Sequence, residues 1–160
     1  MKNNTNTISV NATALRELRD SKKNDVNFRN SLERTAKLAS YVVARSNWQT
    51  MIERGIFAGT FTNPARSLEI QEENEERLEA ALSKFYRAFL WLCSETKKAT
   101  GKALVEQYIS YNKEMLIDAA AAFLATEVEI VKINQAEEAE KRIAEKRAVE
   151  RLMADVAATA

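Results

Sequence analysis

Carboxylates are the one class of chemically active side chain that this sequence concentrates. Glu69, Glu72, Glu73, Glu75, Glu76 and Glu79 fall within one stretch, and several carboxylates converging on one point are what a magnesium ion needs. The remaining chemistry is defined by absence. Without histidine there is no Ser-His-Asp or Cys-His nucleophile, no imidazole acid or base and no histidine metal ligand. A di-iron bundle, which takes a Glu-x-x-His pair from each of two helices, is excluded on the same ground. The glycines, Gly55, Gly59 and Gly101, cannot build a dinucleotide or phosphate loop, and Thr100-Gly101-Lys102 lacks the upstream glycine. Cys93 is the lone cysteine and forms no internal disulfide. Its neighbours Phe89, Leu90, Trp91 and Leu92 predict a buried, inert thiol.

Glu72-Glu73-Asn74-Glu75-Glu76 resembles the Glu-Glu-x-x-Glu half of the motif by which all-α nucleoside triphosphate pyrophosphohydrolases hold magnesium. The resemblance implies a Glu-x-x-Asp partner a short way downstream. The nearest candidate, Glu114 with Asp118, is farther off and spaced by four rather than three. Acids at the start of a helix also suit the positive end of its dipole. The prediction is therefore no enzyme, no metal and no cofactor.

The basic residues form a second group. Residues 1–66 hold 11 Lys and Arg against 5 Asp and Glu, whereas residues 67–160 hold 13 against 18, so a net charge of +1 conceals a dipolar chain. Arg16, Arg19, Lys22, Lys23, Arg29, Arg34 and Lys37, with Arg45 beyond them, are spaced to place several cations on one side of the early helices. That pattern could contact phosphates, although Glu17, Asp20, Asp25 and Glu33 dilute it. The third group is aromatic. Phe85, Tyr86, Phe89 and Trp91 lie in one helical stretch, and Trp91 projects away from the Phe85, Phe89 and Leu92 seam, towards Lys84 and Glu95. Tyr86, Arg87 and Trp91 are accordingly the candidate protein-binding residues, since aromatic and arginine side chains dominate binding energies.

The elements that position these groups must be helices. From residue 64 to 160 the chain holds one proline and one glycine, and most of the rest are good helix formers. Asn11 or Thr13 can cap a first helix carrying Leu15 and Leu18. Asn24 or Asp25 caps a second, with Phe28, Leu32, Ala36, Ala39, Val43 and Ser46 on its apolar face, and Asn47 can restart it as a short helix ending at Gly55. Residues 55–64 read as a loop, after which Asn63-Pro64 starts a long helix. Leu78, Leu82, Phe85, Phe89 and Leu92 step along it with heptad spacing, and Tyr86, Leu90 and Cys93 form a row beside them. A further helix is expected after Gly101, with Leu104, Tyr108, Tyr111, Met115, Ala119 and Ala122 on one seam. From residue 134 the composition turns to Gln, Ala, Glu, Lys and Arg, with i, i+4 pairs such as Glu138 with Arg142 and Lys146 with Glu150. Either a bend occurs near residue 133 or the helix projects.

The resulting expectation is an all-α antiparallel bundle of three or four principal helices. Residues 1–10 form a flexible N-terminus, 11–133 the bundle and 134–160 a charged C-terminal helical extension, with coiled-coil spacing expected from Leu78 to Leu92. No stretch is apolar enough to span a membrane and the start has no secretory h-region. That predicts a cytoplasmic protein, of bacterial or phage origin, acting in the host cytoplasm in the second case. Its partner is a protein, a second copy of itself or both, and nucleic acid is the alternative.

Overall fold

The computed structural model describes residues 9–53, 64–100, 104 and 110–159. Four α-helices account for nearly all of them: α1 Ala12–Ser21, α2 Val26–Glu53, α3 Pro64–Thr100 and α4 Lys113–Thr159. The described residues contain no β-strand, and the molecule is an all-α helical bundle. The loop expected at 55–64 and the turn at Gly101 lie outside the described residues, apart from Pro64, where α3 begins.

The caps follow the local chemistry. The Asn11 side chain accepts from the Ala14 amide at 3.0 Å, Asp25 from the Phe28 amide at 3.1 Å and Asn112 from the Met115 amide at 3.1 Å. Each satisfies an amide that has no partner within its helix. Two helix boundaries differ from the sequence reading. Asn47 does not interrupt α2, because Gln49 two residues on is buried against α3 and holds the helix through that point. The last helix begins at Lys113, not soon after Gly101. Leu104 lies ahead of α4, fully buried, and its carbonyl accepts from the Asn11 amide at 2.8 Å.

The chain divides into two compact units, Met1–Thr126 and Glu127–Ala160. In the first, α2 and α3 run antiparallel, with Phe28 beside Trp91 at one end and Arg45 beside Asn74 at the other. The Leu78, Leu82, Phe85, Phe89 and Leu92 seam is buried throughout. Facing it, α2 buries Phe28, Leu32, Thr35, Ala39, Val42 and Gln49. This stripe is rotated slightly from the expected one, and Ala36, Val43 and Ser46 flank it. The row beside the α3 seam is also shallower than expected: Leu90 is exposed, while Tyr86 and Cys93 are half-buried. Cys93 sits on the flank of the helix, one position past the buried Leu92, so its apolar neighbours do not enclose it.

Leu116, Ala119, Ala120 and Phe123 of α4 are fully buried in the same unit. Phe123 meets Phe89 edge-on at 6.0 Å and Phe89 stacks on Phe85 at 5.3 Å, the offset geometries that aromatic quadrupoles favour. Val10 is buried as well, and its carbonyl accepts from the Thr126 hydroxyl at 3.3 Å. The second unit is the remainder of α4. Every described residue from 134 to 159 is exposed. The pairs expected between Glu138 and Arg142 and between Lys146 and Glu150 are not formed among the described residues. Solvated pairs of this kind gain too little to hold two long side chains in place.

Candidate functional site

Most of the α2–α3 interface is sealed, and its two polar departures differ in kind. The first is a buried knot at the Asn74 end. Asn74 Nδ2 donates to Gln49 Oε1 at 2.8 Å and to the Arg45 carbonyl at 3.2 Å, while Arg45 Nη1 donates to Asn74 Oδ1 at 3.2 Å. Gln49 Nε2 then donates to Glu75 and Glu53, each at 3.3 Å. Amide faces amide with each polar atom engaged, so the knot fixes the register of two otherwise apolar stripes.

The second departure is open. Between α2 and α3 lies a cleft of about 390 Å³ lined by Ser31, Arg34 and Thr35 from one helix and Lys84, Arg87, Ala88 and Trp91 from the other. The α3 residues are spaced i, i+3, i+4, i+7, which places them in one stripe. The stripe borders the buried seam, so its long side chains reach across towards α2. Trp91 is 42% exposed, yet one part of its ring packs on Phe28 at 5.8 Å between centroids. The indole is therefore held in place while the rest of it remains available. Arg34 and Lys84 have no ion-pair partner among the described residues, and Arg87 only reaches the Ser83 hydroxyl at 3.5 Å. Three cations and a fixed aromatic surface thus converge on a concave site. Such an arrangement attracts an anionic group and offers apolar area beside it.

The candidate residues separate in the structure. Arg87 and Trp91 share the cleft; Tyr86 lies on another side of α3, edge-on to Tyr111 at 5.4 Å. The Tyr111 hydroxyl reaches Glu79 at 3.5 Å. Desolvation first, and then the Glu79 charge and hydrogen bond, raise that phenol above its ordinary pKa. Of the seven basic residues, Arg34 alone lines the cleft. Lys22 pairs with Glu95 at 3.1 Å and sits over the Phe28 ring, and Lys37 pairs with Glu33 at 3.4 Å. Arg16 and Arg19 are half-buried, while Lys23 and Arg29 are exposed. Sequence reasoning missed Lys84 as a site residue, along with Ser31 and Thr35. The stripe Lys84, Arg87, Ala88 and Trp91 was legible; its convergence with Arg34 depended on the pairing of the two helices.

The acidic run does not gather into a site. Glu72, Glu73 and Glu76 are exposed, Glu75 joins the Asn74 knot and Glu79 serves Tyr111. Among the described residues no three Asp, Glu or Cys side chains come together as a set able to hold a metal ion. No described helix is long and apolar enough to cross a membrane. No family model, curated protein or solved structure matches this chain.

Proposed function

We propose that this protein is a non-catalytic helical interaction module, a small regulator, inhibitor or assembly component, that binds a partner protein through the α2–α3 cleft. The observation that carries the reading is the convergence of Arg34, Lys84 and Arg87 on a half-exposed Trp91 held against Phe28. The chemistry that fits is an acidic segment with a large apolar side chain. Its carboxylates would meet the three cations and its apolar side chain would cover the indole. Charge complementarity would steer the encounter, and the buried aromatic would supply the affinity.

Affinity capture from the native cell tests this, using wild type, Trp91→Ala and the double variant Lys84→Glu, Arg87→Glu. Lys84 and Arg87 are exposed, so the double variant is expected to keep thermal stability near wild type. Trp91→Ala is expected to lower it by uncovering Phe28 while remaining folded. Both should reduce partner recovery about tenfold or more. Recovery unaffected by either variant would refute the cleft as the interface. Nuclease treatment separates the alternative, a nucleic-acid module using Arg16, Arg19, Lys22, Lys23, Arg29, Arg34 and Lys37. Loss of the captured material on nuclease treatment, with binding that weakens steeply as salt rises, would favour it.

A further inference from the structure

The second unit presents an exposed helix face with a pattern along it. Val128 and Val131 lie at one end of that face, Val149 and Leu152 at the other, and all four are at least half exposed. Between them come Gln135, Glu138, Arg142 and Glu145, also exposed and without partners among the described residues. The steps between these positions alternate three and four without a break. That is the spacing of a coiled-coil seam, apolar at its ends and charged at its centre. A helix that buries no residue from 134 onwards gains nothing from packing on its own chain.

We propose that this face pairs with the same face of a second copy, antiparallel, with Glu138 opposite Arg142. A two-fold axis then makes that contact twice. Gln135 falls opposite Glu145, so an amide can donate to a carboxylate. Val131 falls opposite Val149, and Val128 opposite Leu152. Every layer is like with like in polarity, and both charged layers are complementary. The alternatives fail on the same residues. A parallel pair in register stacks Glu138, Arg142 and Glu145 each on itself. A slip of one heptad sets Val149 against Glu138 in one direction and Val131 against Arg142 in the other. Mismatched layers of this kind are how coiled coils reject wrong partners. Beside the seam, Lys132 faces Lys146 and Lys141 faces its own copy, which opposes association. The pairing is accordingly reversible and concentration-dependent rather than obligate.

This surface is separate from the α2–α3 cleft, and its failure would leave the partner-binding reading intact. Analytical ultracentrifugation of the full chain with Cys93→Ser, over a wide concentration series, is expected to show a monomer–dimer equilibrium. Glu138→Arg alone sets Arg against Arg in both central layers and should weaken the dimer at least tenfold. Adding Arg142→Glu to that variant restores the complementary layers and should recover it. Orientation is read by disulfide trapping in the same Cys93→Ser background. Chains carrying Val131→Cys, mixed with chains carrying Val149→Cys, should give the mixed disulfide. Neither variant should cross-link with itself, because equivalent residues at position 131 lie about 27 Å apart along the pair. Circular dichroism confirms that each variant remains helical. A monomer at all concentrations, a dimer indifferent to Glu138→Arg, or a disulfide between two Val131→Cys chains would overturn the proposal.

Discussion

The two ends of α4 are made of similar helix-forming residues and are used in opposite ways. In the first, Leu116, Ala119, Ala120 and Phe123 lose all contact with water. In the second, Ile143, Val149, Leu152, Met153 and Val156 are all more than half exposed. Ala, Glu, Lys and Arg form a helix whether or not anything covers them, so helicity reveals nothing about burial. What separates the ends is the surroundings: Phe123 stands beside the buried Ala119 and Ala120 and meets Phe89 of α3, whereas Ile143 stands among Glu, Lys and Arg. The buried end contributes to the stability of the bundle. The exposed end leaves surface for another chain.

The sharpest way to break this contrast is to empty one side chain from each end. Phe123→Ala, or Phe89→Ala opposite it, should cost ~3–5 kcal/mol in chemical denaturation, the usual penalty for a vacated aromatic site. Ile143→Ala, 52% exposed and off the proposed seam, should stay within ~0.5 kcal/mol. Similar losses at the two sites would mean that the exposed end is covered in solution.

A smaller effect distinguishes the two polar departures between α2 and α3. Asn74→Ala strands the Gln49 side-chain oxygen and removes the acceptor of the Arg45 guanidinium, and leaving such groups unpaired should cost ~1–3 kcal/mol. Glu75→Ala, at the exposed edge of the same knot, leaves Gln49 its bond to Glu53 and should change stability by ~0.5 kcal/mol or less. If Asn74→Ala proved as mild as Glu75→Ala, the knot would not be setting register.

The smallest expected effect is at Tyr111. Its phenol is raised above the ordinary value, so the folded state favours the neutral form. The stability this contributes is fully present below the unfolded pKa and is lost as pH rises through the folded one. The difference between the absorbance titrations of wild type and Tyr111→Phe near 295 nm should be a component that ionises above the ordinary tyrosine value. A difference component centred at the ordinary tyrosine value would break the link to Glu79.

How much of this could be read from sequence depended on which residues carried the signal. The α3 seam was legible because Leu and Phe mark it at heptad spacing, and the start at Pro64 was legible from its fixed φ. Thr35, Gln49 and Asn74 occupy core positions that hydrophobic patterning passes over, because their polarity is satisfied only by a partner helix or an i−4 carbonyl. The α4 start was misplaced because Leu104 and Tyr111 fit a helical period in the sequence although both lie ahead of Lys113. In the cleft, Arg87 and Trp91 stood out on α3. Arg34 belonged to a different charge group in the sequence, and only the antiparallel pairing of α2 with α3 brought the two groups together.

The central claim is that the cleft is the partner surface. Amide hydrogen exchange on the full chain, free and saturated with the partner recovered by capture, tests it most directly. Both states should be measured at a protein concentration too low for self-association. The account predicts added protection around residues 31–35 and 84–91, with residues 134–159 unchanged. Protection confined to the exposed end of α4, with the cleft unaltered, would contradict it.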